Sequence, residues 1–125
     1  MIRFDKEIVL SLYKKIVEAT GGSFGIRSES LLESAINAPY QTYDNLDLFP
    51  SVIEKGARLG YGLVANHPFI DGNKRIGVYI MLIFFEVNSI DLDFTNEEVV
   101  NIGLGLASGE IKYEDLLTII NNKYE

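Results

Sequence analysis

The sequence predicts an all-α, single-domain helical bundle with a buried central helix, and three observations lead there. Apolar residues recur at three- and four-residue spacing through most of the 125-residue chain. Capping residues precede those runs, and glycine or proline follows them. One run, residues 78–85, has no polar face at all, as expected of a helix through the middle of such a bundle. With 47% hydrophobic and 23% charged residues, the composition is that of a soluble globular domain, and the length suits one domain over residues 1–125.

Taken in order, Asp5 is placed to cap a first helix on which Ile8, Val9, Leu12, Ile16 and Val17 share a face. That helix stops at Gly21-Gly22. The segment Gly22-Ser23-Phe24-Gly25-Ile26-Arg27 holds too much glycine for regular structure, and an aromatic between glycines suggests a loop that folds over something. Ser28 caps a short second helix carrying Leu31, Leu32, Ala35 and Ile36, ended by Pro39. Residues 39–50 have no clear period and read as an ordered loop.

A third helix begins around Pro50 and runs to Asn66, with Ile53, Ala57, Leu59, Gly60 and Leu63 or Val64 inward. Its small residues Gly56, Ala57, Gly60 and Gly62 permit a second helix to approach closely. The fourth helix, about residues 74–88, is the apolar one. Residues 89–94 suit a short extended piece. Thr95-Asn96-Glu97-Glu98 has capping-box spacing and opens a helix through about Ser108, closed by Gly109. A last helix covers roughly residues 113–123, with Leu116, Leu117, Ile119 and Ile120 apolar. The third and fourth helices thus form a buried hairpin with a polar loop at its turn.

Composition narrows the chemistry. There is no cysteine, so disulfides, thiolate catalysis and cysteine-bound zinc are excluded, and a single histidine excludes a two-histidine metal site. The charged N-terminus does not resemble a signal peptide, and the longest apolar run is too short to span a bilayer, so no membrane association and a cytoplasmic location are expected. A formal charge of −7 opposes direct nucleic-acid binding.

The hairpin turn reads His67-Pro68-Phe69-Ile70-Asp71-Gly72-Asn73-Lys74-Arg75. Pro68, Gly72 and Asn73 form loops, and the helix that follows starts near Asn73 or Lys74. Its first amides lack intrahelical partners and, with the positive end of the macrodipole, favour an anion. Lys74 and Arg75 oppose that dipole, which makes sense if a polyanion joins them. This is the layout of a phosphate site: Arg75 can fork onto phosphate oxygens, Lys74 supplies a mobile point charge, and Gly72 lets the backbone come close.

These nine residues resemble the Fic motif, His-x-Phe-x-Asp/Glu-Gly-Asn-Gly/Lys-Arg, and the lysine after asparagine is similar to the Doc (death-on-curing) branch. Gly22 to Arg27, followed by Leu31-Leu32-Glu33-Ser34-Ala35, also looks like the segment that precedes the motif in Doc toxins. The resemblance covers nearly the whole chain and implies the Fic fold and an enzyme that moves part of a nucleotide onto a protein hydroxyl. In Fic proteins the group is usually AMP; in Doc toxins it is the terminal phosphate of ATP, placed on a translation factor, elongation factor Tu.

Carried onto this chain, the resemblance makes His67 the general base, suited to that task because histidine ordinarily titrates near neutrality. Asp71 holds Mg²⁺, or else merely caps the helix. Asn73 donates to a phosphate, or closes the turn. Lys74 and Arg75 hold phosphates and act in catalysis. Phe69 anchors the loop, and Gly22, Ser23, Phe24, Gly25 and Arg27 form a flap over substrate or nucleotide. AMP-transferring members usually have glycine in place of Lys74 and a second arginine three residues after Arg75, where this chain has Val78. Both departures point to phosphoryl transfer, with adenylyl transfer and a catalytically silent partner-binding domain as the alternatives. No stretch fits the built-in inhibitory pattern Ser/Thr-x-x-x-Glu-Gly/Asn, so restraint is expected from a separate antitoxin whose disordered segment folds onto the protein near the flap.

Overall fold

The computed structural model describes residues 1–124. Its elements are α1 (Lys6–Thr20), α2 (Glu29–Asn37), a 3₁₀ turn (Ala38–Tyr40), β1 (Thr42–Tyr43), β2 (Leu46–Asp47), α3 (Val52–Ala65), α4 (Asn73–Val87), α5 (Asn96–Ser108) and α6 (Tyr113–Tyr124). The helix starts follow local chemistry. Side chains of Asp5, Ser28, Ser51 and Thr95 each accept from an amide in the first turn of α1, α2, α3 and α5. Glu54 and Glu98 complete capping boxes at α3 and α5 by accepting from the cap residue's own N–H.

Helices α3 and α4 make the most extensive contact in the molecule, and α4 also touches α5 and α1. Close approach is built on glycine, as the sequence anticipates. A Cβ on Gly56 would lie 2.3 Å from the Phe85 ring, one on Gly60 2.5 Å from Met81 Sδ, and one on Gly77 2.6 Å from a Val64 methyl. Around this seam Leu59, Leu63, Val64, Val78, Ile80, Met81, Phe84 and Phe85 lose their contact with water. Each large side chain so buried contributes about 1.5–3 kcal/mol. The centre of α4 is therefore core, whereas Tyr79, Leu82 and Ile83 are half-buried and Glu86 and Val87 are exposed.

Two expectations need correction. Residues 39–50 are not simply loop: Pro39 sits inside the 3₁₀ turn, and β1 and β2 pair antiparallel, Thr42 with Asp47 and Tyr43 with Leu46. The hairpin turns on Asp44 and Asn45, both at positive φ (53° and 65°), the conformation of a type I′ turn. Residues 89–94 form no strand; Ser89 adopts φ 65°, which bends the chain away from α4. Among the described residues no helix is long and apolar enough to cross a membrane.

Candidate active site

Helix α3 ends at Asn66, and His67 follows with φ 48°, the left-handed position that closes many helices and is usually glycine. A histidine there stores strain of order 1–3 kcal/mol, a cost that persists where neighbours over-determine the backbone. Here they do. His67 N–H donates to Val64 O at 3.3 Å. Arg27 donates from Nε to His67 O at 2.6 Å and from Nη2 to Asn66 O at 3.0 Å, so one guanidinium holds the last carbonyls of α3.

Beyond Pro68 the loop is tied to the flap as a short antiparallel bridge between Ile26 and Phe69. Arg27 N–H and Ser28 N–H donate to Pro68 O at 2.7 and 3.2 Å, and Ile70 N–H donates to Gly25 O at 3.1 Å. Below the bridge lies Tyr13, fully buried, whose ring stacks on Phe69 at 3.9 Å and on Phe24 at 4.8 Å. Its hydroxyl lies 3.0 Å from Ser23 O and 3.1 Å from Gly25 O, and accepts from Gly25 N–H at 3.1 Å. Burial raises the Tyr13 pKa and the charge of Asp71 adds to the rise, against a lowering by the Gly25 hydrogen bond. Tyr13 is a part of the site that sequence reading passes over.

Helix α4 begins differently from the helices capped by side chains. Its cap is Gly72, at φ 81°, which brings no side-chain oxygen to the first amides. Glycine is required: at that φ a Cβ would be strained and would lie 2.6 Å from Ile76 Cδ1. The first intrahelical bond runs from Ile76 N–H to Gly72 O at 2.8 Å, so the amides of Asn73, Lys74 and Arg75 precede the helical ladder. Asn73 uses its side chain locally. Its Oδ1 accepts from Phe69 N–H at 2.9 Å and its Nδ2 donates to Phe69 O at 2.8 Å, the turn-closing role of the two open to it.

His67, Ile70, Asp71, Gly72, Asn73, Lys74 and Arg75 line one cavity of about 450 Å³, with Val100 and Leu104 of α5 as the opposite wall. That volume is within the usual range for small-ligand sites. Lys74 and Arg75 are exposed and take part in none of the ion pairs among the described residues. Asp71 is exposed too; its Oδ2 accepts from the flap amide of Ser23 at 3.3 Å. Gly22 packs against the same carboxylate, since a Cβ there would come within 3.0 Å of Oδ2. The wall is apolar and wet: Ile70, Val100 and Leu104 remain 54%, 50% and 49% exposed. Helix α5 reaches the site because Gly103 lets it abut the first turn of α4, where a Cβ would lie 2.4 Å from Lys74 O.

The structure thus places His67, Asp71, Gly72, Asn73, Lys74 and Arg75 around one cavity, with the segment from Gly22 to Arg27 hydrogen-bonded to the motif loop. It adds Tyr13, Val100 and Leu104. The latter pair carried a faint signal, two exposed apolar residues four apart on a helix whose buried stripe is Val99, Ile102 and Leu106. Chemically, an imidazole, a carboxylate, two cations and a set of uncapped amides line one space. A family model described as Fic/DOC family matches residues 3–85. A relative, the Toxin Doc of Mycolicibacterium smegmatis (strain ATCC 700084 / mc(2)155), is 34% identical over 74 residues, which cover 59% of this chain and 57% of that protein. The match spans little more than half the length of that relative.

Proposed function

This chain belongs to the Fic/DOC family, and from that premise we propose that it is a Doc-like toxin that transfers the terminal phosphate of ATP to a serine or threonine hydroxyl of a translation factor. The observation that carries the reading is the shared cavity, lined by His67 together with Lys74, Arg75 and the uncapped start of α4. In this reaction His67 accepts the proton of the target hydroxyl as its oxygen attacks the terminal phosphorus, and the bond to the ADP oxygen breaks. Lys74, Arg75 and the first amides of α4 offset the charge on the phosphoryl oxygens, and positioning with charge neutralisation supplies most of the catalysis. A general base is worth roughly 10²- to 10⁴-fold. Val78 supports phosphate rather than AMP as the transferred group, because it is fully buried in the α3–α4 seam and offers the nucleotide no second arginine.

The donor set fits Mg²⁺ carried in by a nucleotide. The described residues contain no cluster of three carboxylates or histidines that would hold a metal alone, but Mg²⁺ needs only one or two carboxylates beside phosphate oxygens and water. Asp71 would hold it, and the ion would neutralise phosphate charge. The wall of Ile70, Val100 and Leu104 is suited to a flat, weakly polar group such as adenine. Phe24, 48% exposed on the flap, and Ile70 form an apolar edge beside the cavity, the kind of surface an antitoxin segment that folds on binding would cover.

Incubation with γ-labelled and, separately, α-labelled ATP in cell extract tests the reading. Label passing to protein from the γ position alone supports the kinase. Label from the α position indicates adenylyl transfer, and none indicates a silent binding domain. Growth arrest by His67→Ala as strong as by the unaltered chain would refute the toxin mechanism.

A further inference from the structure

We infer that a second binding site, for a carboxylate carried on an aromatic body, lies between the start of α3 and the start of α6. A cavity of about 550 Å³ opens there, lined by Leu48, Phe49, Glu54, Arg58, Tyr61, Lys112, Tyr113 and Glu114, none of which belongs to the motif cavity. Its centre is Arg58. The guanidinium is half-buried and makes no hydrogen bond among the described residues: Nη1 is shut off from solvent on the side of Gly62, so Nε and Nη2 are the edge left for a ligand. Burial pulls its pKa down from the ordinary arginine value, with Tyr61 and Tyr113 opposing, yet a guanidinium stays charged in any folded protein. A cation drawn out of water without a partner is costly.

The next residue shows how this fold treats a buried cation that is purely structural. Lys55 is buried and fully provided for, with Asp47 Oδ2 at 3.1 Å and the carbonyl of Phe49 as acceptors. Arg58 takes part in no ion pair among the described residues, although two carboxylates line the same cavity. Glu54 is turned to the helix start, its Oε1 accepting from Ser51 N–H at 3.2 Å, and Glu114 is exposed. No acceptor for Arg58 lies among the described residues, and the open Nε–Nη2 edge suits one brought by a ligand. A carboxylate matches it best, because its two oxygens fit the planar fork.

The walls define the rest of the ligand. The Arg58 guanidinium lies 5.3 Å from the Tyr61 ring and 6.0 Å from the Phe49 ring, and Tyr113 stands edge-on to Phe49 at 5.3 Å and to Tyr61 at 6.4 Å. The Tyr113 hydroxyl donates to Glu54 O at 3.3 Å, which fixes that ring. Three rings around one cation accept a flat apolar group whose acid end meets the guanidinium, and Lys112 adds an exposed second cation. The chemistry is shared by free aryl acids and by a peptide ending in phenylalanine.

The test is an NMR titration of the full chain with 3-phenylpropionate, with its neutral amide, and with a tripeptide bearing a free C-terminal phenylalanine. Expected are saturable shifts at Phe49, Arg58, Tyr61 and Tyr113 in the low-millimolar range or tighter for at least one acid, and about tenfold weaker binding of the amide. Arg58→Met is expected to weaken the acid about tenfold with no loss of thermal stability, and Arg58→Lys to fall between. Tighter binding of the peptide identifies a chain terminus as the natural source; tighter binding of the small acid identifies a free metabolite. Absence of saturable shifts up to about 10 mM, or equal affinity for acid and amide, overturns the assignment.

Discussion

Replacing Tyr13 with phenylalanine removes one oxygen and leaves the ring in its stack on Phe69. The hydroxyl has a single proton, which serves Ser23 O or Gly25 O at 3.0 and 3.1 Å, and it accepts from Gly25 N–H at 3.1 Å. The variant loses one donated and one accepted bond. Each is worth about 1 kcal/mol net, and a Gly25 amide left without a partner beneath the flap raises the total to about 2 kcal/mol. Because the stacking at 3.9 Å persists, the loss falls on opening of the flap rather than on the core. About 2 kcal/mol is roughly 30-fold in an opening equilibrium. Native-state amide exchange reads it directly. The Gly25, Arg27 and Ile70 amides should exchange roughly 30-fold faster than in the unaltered chain, against unchanged protection at Leu63 and Ile80 in the α3–α4 seam. Equal exchange at those three flap amides would refute the idea that the phenol holds the flap to the motif loop.

His67→Gly should separate chemistry from folding: glycine accepts the φ of 48° without strain, so thermal stability is expected to hold or rise by about 1 kcal/mol while phosphate transfer falls roughly 10²- to 10⁴-fold. A drop in melting temperature would show that the imidazole is structural. Gly103→Ala should cost about 1–3 kcal/mol in denaturant unfolding, because its Cβ would meet Lys74 O, a backbone atom, at 2.4 Å; an unchanged midpoint would mean that α5 yields freely. Tyr113 has its pKa pushed up to about 12, chiefly by burial, with Glu54 and Glu114 adding and Arg58 opposing. An acid that ionises later in the folded state leaves stability intact below the unfolded value near 10 and erodes it from there toward 12. Urea midpoints measured from pH 8 to 12 should therefore fall less steeply for Tyr113→Phe than for the unaltered chain, and parallel curves would contradict the burial.

The helices were legible because their signals are local. Asp5, Ser28, Ser51 with Glu54, and Thr95 with Glu98 stand next to the amides they cap, and the apolar spacing that follows needs no knowledge of the fold. The motif was legible for the same reason, being contiguous. What escaped depends on partners distant in sequence or on turn chemistry carried by few residues. The β-hairpin rests on Asp44 and Asn45 adopting positive φ, a pair less telling than asparagine-glycine. Tyr13 sits on a helix whose pattern explains it as ordinary core, and its hydroxyl's partners lie ten and more residues away in a segment without period. Arg27 looked like a flap residue reaching for substrate, yet both hydrogen bonds of its side chain go to the backbone end of α3.

The apolar wall of the motif cavity has a consequence for divergence. Everything that would handle phosphate lies between residues 67 and 75, whereas Val100 and Leu104 come from α5, past the end of the segment that matches the family model at residue 85. Two side chains on one exposed helical stripe can thus be exchanged without disturbing a single atom of the anion-facing loop. If that wall receives a base, as proposed, a lineage can change which nucleobase it prefers while keeping the loop residues.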